Sequence, residues 1–449
     1  MPESILFRNA LLVTMDAGRR VIRGDLYLAD GRIGAVGTGA PAAADLVVDA
    51  SHLALLPGLV QTHVHLCQTG FRGQADDLEL LEWLRLRVWP LEAAHDPETL
   101  AASARLGCAE LILGGTTTVV DMGTVHHTEE IFRALRDSGL RAFAGKCMMD
   151  EGDEVPPGLR ERTDASLRES LDLLERWDGA EGGRIHYCFA PRFALTSSDA
   201  LLREVARSAR ERGVLVHTHA SESRAECALV QSRRGASNIA YLHRLGLTES
   251  RLLLAHCVHL AAGEMEILAR TRTGVAHCPS SNLKLGSGIA RVAELRRAGV
   301  EVGIGADGAP CNNTLDAFLE MRLAALLQST VAGPGALTAA DVLEMATLGG
   351  ARLLRLEQEI GSLEVGKRAD VIAVDLTGPH CQPAEDDDAA GVASRLVYAA
   401  RAADVRWTLV DGRVLLRDRE LATLEREPTL AEARRALGQL KRRAFSVHG

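Results

Sequence analysis

Paired cysteine motifs are missing from this sequence. Nine cysteines are scattered over 449 residues without a single C-x-x-C, and an odd number cannot be fully paired within one chain. A disulfide scaffold is therefore excluded, and a reducing cytoplasm is the expected compartment. Long apolar runs are missing too. Arg, Asp or Glu interrupts every stretch before it reaches the ~18 residues a membrane-spanning helix needs. The first 20 residues lack a basic segment leading into an apolar one, so no signal peptide is expected. Positive charge is in the minority, 51 Lys and Arg against 60 Asp and Glu, for a net −9. That balance argues against a nucleic-acid footprint or an anionic-membrane binder. Gly and Pro are too few for a collagenous or low-complexity chain, at 42 and 14 residues.

The remaining composition, 47% hydrophobic and 25% charged, suits a large buried core. The length allows about three ordinary domains, or one large barrel with an accessory domain. Residues 1–56 alternate short apolar runs with turns such as Asp30-Gly31, which predicts a small antiparallel sheet. From Pro57 to Arg352 a short β-rich run followed by a longer helical run recurs, with strands expected at Leu55–Leu66, Thr117–Met122, Ala142–Cys147, Arg184–Ala190, Val214–Ala220, Arg251–His256, Gly274–Cys278 and Val300–Ala306. Helices are expected at Pro97–Leu113, Asp199–Arg212, Ala262–Arg270 and Leu315–Leu327. Eight such units predict an α/β fold, a (β/α)8 barrel over 57–352, with a doubly wound sheet as the competitor. Short strands return after the barrel, so 1–56 and 353–425 are expected to form one discontinuous β-sandwich domain, followed by a helical tail at 426–449. The acidic run from Glu385 to Asp388 reads as a solvated loop.

Chemistry concentrates at the predicted strand ends. His63 and His65 stand two apart on the first strand, and residues so spaced share a face. Strand five ends on His217-Thr218-His219-Ala220-Ser221-Glu222, strand six on His256, strand seven on His277, and strand eight runs into Asp307. Ionisable groups at the mouth of five strands point to a metal, because buried ones cost free energy unless they are paired or ligated. Three His and one Asp suit Zn²⁺ or Fe²⁺ with a position open for water. The fourth strand carries no lysine to bridge two metals, so one ion is expected. Lys146 reads as structural, and Cys67, Cys257, Cys278 and Cys311 as small buried fillers.

The string Pro57-Gly58-Leu59-Val60-Gln61-Thr62-His63-Val64-His65, then Gly114-Gly115-Thr116-Thr117-Thr118, His219-Ala220-Ser221-Glu222, His277-Cys278-Pro279-Ser280-Ser281-Asn282-Leu283-Lys284-Leu285 and the Asp307 turn resembles the amidohydrolase superfamily. The likeness is to its aminohydrolase branch, which includes deaminases of adenosine derivatives, guanine deaminase and s-triazine hydrolases. It implies a hydrolase acting on C–N bonds of cyclic amidines. It also implies His63, His65, His219 and Asp307 as metal ligands, Glu222 as proton shuttle, His256 on the metal-bound water, and Asp307 as acceptor of that water's proton. His217 competes with His219 as ligand, and His277 is either a supporting or a structural residue.

For the substrate, the segment from Cys67 to His95 resembles the S-adenosylhomocysteine, 5'-methylthioadenosine and 5'-deoxyadenosine deaminases. In that likeness Trp83 falls in the substrate pocket and Glu92 on a ribose-binding glutamate. Arg192, in Pro191-Arg192-Phe193, and Gln68 match guanine deaminases instead. A 5'-modified adenosine is the expected substrate. Guanine, 8-oxoguanine or a pterin, an s-triazine, and an inactive barrel scaffold are the alternatives. The only partner expected is this small molecule, and a homo-oligomer is compatible with the sequence.

Overall fold

The computed structural model describes residues 2–384 and 388–445. Of the acidic run expected as a loop, only Asp388 falls within the described residues, where its side chain caps the short helix Ala389–Ser394.

Eight parallel strands close into a barrel: Leu59–Val64, Thr116–Met122, Arg141–Gly145, Ile185–Pro191, Leu215–Ala220, Arg251–His256, Gly274–His277 and Val302–Ile304. Each pairs with its neighbours in sequence, and the eighth returns to the first through Ile304 and Gln61. That closure rules out the doubly wound competitor. The strands are buried on both faces, as a parallel sheet covered by helices requires. Two expected helices, Pro97–Leu113 and Asp199–Arg212, start where a side chain caps them, Asp96 accepting from the Thr99 amide and Ser198 from the Leu201 amide.

The stretch expected as one strand from Leu55 to Leu66 is two. Leu53–Pro57 pairs antiparallel with Val371–Asp375 in the flanking sheet, and Leu59–Val64 enters the barrel. The break falls at Gly58, where a Cβ would stand 2.1 Å from the Thr117 hydroxyl. The flanking sheet gathers nine strands from both ends of the chain. One of its faces packs Ile5, Phe7, Leu12, Leu55, Val371 and Trp407 together, and alternate residues such as Leu11, Leu56 and Ile372 join the barrel's core. Arg141, 1% exposed at the base of the third barrel strand, clamps the two bodies through Asp370 (2.8 and 2.9 Å) and Asp411 (2.6 Å).

The final helix, Arg426–Phe445, packs along Pro97–Leu113, and its Leu440 is buried against Phe71 and Leu91. It thereby backs the two short segments that carry Gln68 and Glu92. No helix among the described residues is long and apolar enough to cross a membrane.

Candidate active site

The site is built at the carboxyl ends of the barrel strands, where a (β/α)8 barrel holds its functional side chains. Three of those ends turn through non-glycine residues with positive φ: Ser221 at 55°, His256 at 74° and Asp307 at 64°. Such backbone costs of order 1–3 kcal/mol each and concentrates where side chains must be aimed.

His63, His65, His219 and Asp307 converge with their ligand atoms all within 4.8 Å of one another. Asp307 Oδ1 lies 3.2 Å from His63 Nε2 and 3.4 Å from His65 Nε2, and the Nε2 atoms of His65 and His219 face each other at 3.2 Å. The other ring nitrogens fix the tautomers. His65 Nδ1 donates to the Met122 carbonyl (2.8 Å) and His219 Nδ1 to that of Arg192 (2.7 Å). His217 Nδ1 donates to the Leu253 carbonyl (3.1 Å), which leaves its Nε2 to accept from His63 Nδ1 at 2.7 Å. All three Nε2 atoms therefore present lone pairs to one point, and His63 Nε2 is buried with no hydrogen-bond partner. Lone pairs facing each other repel unless a cation lies between them. Ligands held ~2.0–2.1 Å from a tetrahedral Zn²⁺ stand roughly 3.3 Å apart, the spacing seen here. The cluster fits one divalent metal, Zn²⁺ or Fe²⁺.

The electrostatics agree. Burial, then the charge of His63, pushes the His65 imidazole down to about 3, so it is a neutral ligand at physiological pH. Burial opposes ionisation of Asp307, but the closeness of His63, 3.2 Å away, outweighs it and holds the carboxyl well below its usual range. Glu222 behaves in the opposite way: burial, reinforced by the Asp307 charge, lifts its carboxyl well above its ordinary value. Its backbone amide donates to Glu226 Oε2 at 2.7 Å, which fixes its place on the loop. His256 Nδ1 donates to Asn282 Oδ1 (2.9 Å), sending Nε2 toward Glu222 (3.5 Å) and Asp307 (3.8 Å). Ser281 Oγ donates to Asp307 Oδ2 at 2.6 Å.

A cavity opens over this centre. Leu80, Trp83, Leu84 and Phe193 form its apolar wall, and Gln68, Arg192 and Glu222 its polar one. Gln68, Trp83 and Arg192 line this cavity. Glu92 stands behind them, 4% exposed and paired with Arg192. His217 supports a ligand instead of joining the cluster. His277 is fully buried outside the ligand set, with neither ring nitrogen partnered. Sequence reasoning missed the supporting roles of His217, Ser281, Asn282 and Glu226. The only legible signal among these was the His217-x-His219 spacing, which puts both rings on one strand face. Lys146 lies between Glu161 and Glu169, at 2.9 Å from each, and the nine cysteines are unpaired.

The amidohydrolase family profile matches residues 54–415. The chain is 40% identical over 433 residues to a 5-methylthioadenosine/S-adenosylhomocysteine deaminase of Moorella thermoacetica, covering 95% of this chain and 97% of that protein. It is 39% identical over 442 residues to a 5'-deoxyadenosine deaminase of Methanosarcina acetivorans, covering 98% and 99%. Its fold superposes with a TM-score of 0.90 on a zinc-bound adenosine deaminase from Xanthomonas campestris, at 35% identity over 97% of this chain and 98% of that one. Fold, ligand set and near full-length similarity agree, and the chain belongs to the aminohydrolase branch of the amidohydrolase superfamily.

Proposed function

We propose that the protein is a metal-dependent hydrolytic deaminase that converts an amino-substituted purine, and foremost a 5'-modified adenosine, to the oxo product and ammonia. The observation that carries this reading is a buried Glu222 carboxyl beside a three-His, one-Asp centre at the floor of a cavity with an apolar wall. The 5-methylthioadenosine/S-adenosylhomocysteine and 5'-deoxyadenosine deaminases described above support the substrate class.

A divalent metal at this centre supplies acidified water at neutral pH. Glu222 donates its proton to the ring nitrogen beside the amino-bearing carbon, which makes that carbon electrophilic. Asp307, steadied by Ser281, takes the proton released from the attacking water. His256, held by Asn282, turns Nε2 to the side on which the oxyanion develops. Asp307 passes that proton to the exocyclic nitrogen, which leaves as ammonia, and the remaining hydroxyl proton goes to the Glu222 carboxylate as the carbonyl forms. The apolar wall of Leu80, Trp83, Leu84 and Phe193 suits the faces of a flat ring.

A guanine-type base is the second reading, favoured by Arg192 and Gln68 at the cavity edge. The nine unpaired cysteines suit the reducing cytoplasm, where we place the protein. The test is ammonia release by the zinc-loaded protein from 5'-deoxyadenosine, 5'-methylthioadenosine, S-adenosylhomocysteine, guanine and a chlorotriazine. Turnover led by one of the three nucleosides supports the first reading, turnover led by guanine the second. Turnover of the triazine alone, or of none, overturns both.

A further inference from the structure

The helix Arg224–Arg234 begins just after Glu222. Its cap is Ser223, whose Oγ accepts from the Glu226 amide at 3.1 Å. Ser-x-x-Glu is the spacing of a capping box, in which the glutamate accepts from the amide of the cap residue itself. Glu226 is turned elsewhere: its Oε2 accepts from the amide of Glu222, 2.7 Å away and one residue before the cap. Glu226 is also 1% exposed, and it lines the cavity together with Glu222. A first-turn glutamate that only caps a helix can stay in solvent, whereas burying a carboxyl costs free energy. Capping alone does not account for this placement.

The backbone on the other side of Glu222 is held as well. Ser221 has a φ of 55°, and its carbonyl accepts from the amides of Val258 and His259, both at 2.9 Å, while the Ala220 carbonyl accepts from that of Cys257 at 3.1 Å. Those amides belong to the turn after the sixth barrel strand, where His256 and Cys257 have φ of 74° and 48°. The turn that carries Glu222 and the turn that carries His256 are therefore one hydrogen-bonded unit. The Glu222 side chain has no such tie. Among the described residues no hydrogen bond holds its carboxyl, and His256 Nε2 stands 3.5 Å off. The direction in which the carboxyl enters the cavity is consequently set by the backbone, whose amide is bound to Glu226.

We propose that Glu226 is a positioning residue for the proton donor: by accepting from the Glu222 amide, it fixes the backbone that aims the Glu222 carboxyl at the substrate's ring nitrogen. This rests on the deaminase reading of the same site. Glu226 acts through Glu222 and not on the reacting atoms. A displacement of about 1 Å at a reacting group can cost on the order of 10²-fold in rate, so loss of this tie is read in kcat. Loss of a helix cap is read in stability instead.

The experiment measures kcat, KM, zinc content and thermal melting of zinc-loaded wild type, Glu226→Gln, Glu226→Leu, Glu222→Gln and the Glu222→Gln/Glu226→Leu double variant. The substrate is whichever of 5'-deoxyadenosine, 5'-methylthioadenosine, S-adenosylhomocysteine and guanine the wild type turns over best. Glutamine keeps an acceptor oxygen for the amide, and Glu226→Gln is expected to hold kcat within about threefold of wild type. Leucine fills the space without an acceptor. Glu226→Leu is expected to lose about 10- to 100-fold in kcat, with KM moving by less than about threefold, at unchanged zinc content. Once the proton donor is gone its aim no longer matters, so the double variant should match Glu222→Gln in kcat within about threefold. Losses that multiply in the double variant overturn the proposal. An unchanged kcat in Glu226→Leu, or a loss in Glu226→Gln as large as that in Glu226→Leu, overturns it too. If Glu226→Leu fails to fold or to bind zinc, Glu226→Met takes its place under the same criteria. If the wild type turns over none of the four substrates, the deaminase reading falls first and takes this proposal with it.

Discussion

His217 lies outside the ligand cluster and does not line the cavity, yet the tautomer of His63 depends on it. Its Nδ1–H is committed to the Leu253 carbonyl, so its Nε2 is an acceptor, and the His63 proton must sit on Nδ1 (2.7 Å away) with the Nε2 lone pair turned to the metal. Replacing His217 with Phe fills the space and removes the acceptor. His63 Nδ1–H is then a buried donor without a partner, at a site 0% exposed, which costs ~1–3 kcal/mol. The proton is also free to move to Nε2, where it blocks ligation. Loss of partners behind metal-bound histidines typically weakens metal affinity or activity by about 10- to 100-fold. The same factor is ~1.4–2.7 kcal/mol at 1.36 kcal/mol per decade. The assay is competition for Zn²⁺ against a chromophoric chelator, run on wild type and His217→Phe, with thermal melting of both metal-free proteins alongside. We expect the zinc Kd to rise by one to two decades and the metal-free melting temperature to fall. An unchanged zinc Kd in a folded variant refutes the tautomer argument.

Glu222→Gln keeps the shape of the shuttle but not its proton, and should retain the metal while losing turnover by roughly 10²-fold or more; metal analysis and single-turnover ammonia release check both halves. Asp121 presents a pH dependence: burial lifts its carboxyl to about 7, with only the Leu66 amide, 2.7 Å away, pulling the other way. A folded-state pKa raised from the ordinary 3.8 means stability that is present below 3.8 and lost as pH rises toward about 7. Asp121→Asn should therefore melt progressively higher than wild type as pH goes from about 4 to about 7, levelling off above that, and a constant difference in melting temperature across this window would contradict this. Arg141→Ala strands Asp370 beneath the flanking sheet, and urea unfolding should register a loss of about 3–5 kcal/mol.

Most of the barrel was legible because its signals are local. The strand and helix alternation, the cap residues Asp96 and Ser198, and the strand-end histidines all act within a few residues. The boundary at Gly58 was not, since Leu53–Leu56 and Leu59–Val60 read as one apolar run and only contact with Thr117 separates them. The pairing of Leu53–Pro57 with Val371–Asp375 joins segments some 300 residues apart and has no local signature. At the site, the H-x-H spacing encodes which side chains share a face, and the family resemblance singled out the four residues that the structure brings together, with Glu222 nearby. The Arg192–Glu92 pair spans 100 residues, and an ion pair that occupies both carboxylate oxygens is invisible until the strand and the helix meet. The role of His217 was hidden for a related reason, because a tautomer is set by the partner on the far side of the ring.

The central claim, one metal driving hydrolytic deamination, is tested most directly by titrating Zn²⁺ into metal-free protein while following ammonia release from 5'-deoxyadenosine. Four ligand atoms around a single point predict activity that rises linearly and stops at one equivalent per chain. A rise that continues to two equivalents, or ammonia release that does not depend on added metal, would contradict the account.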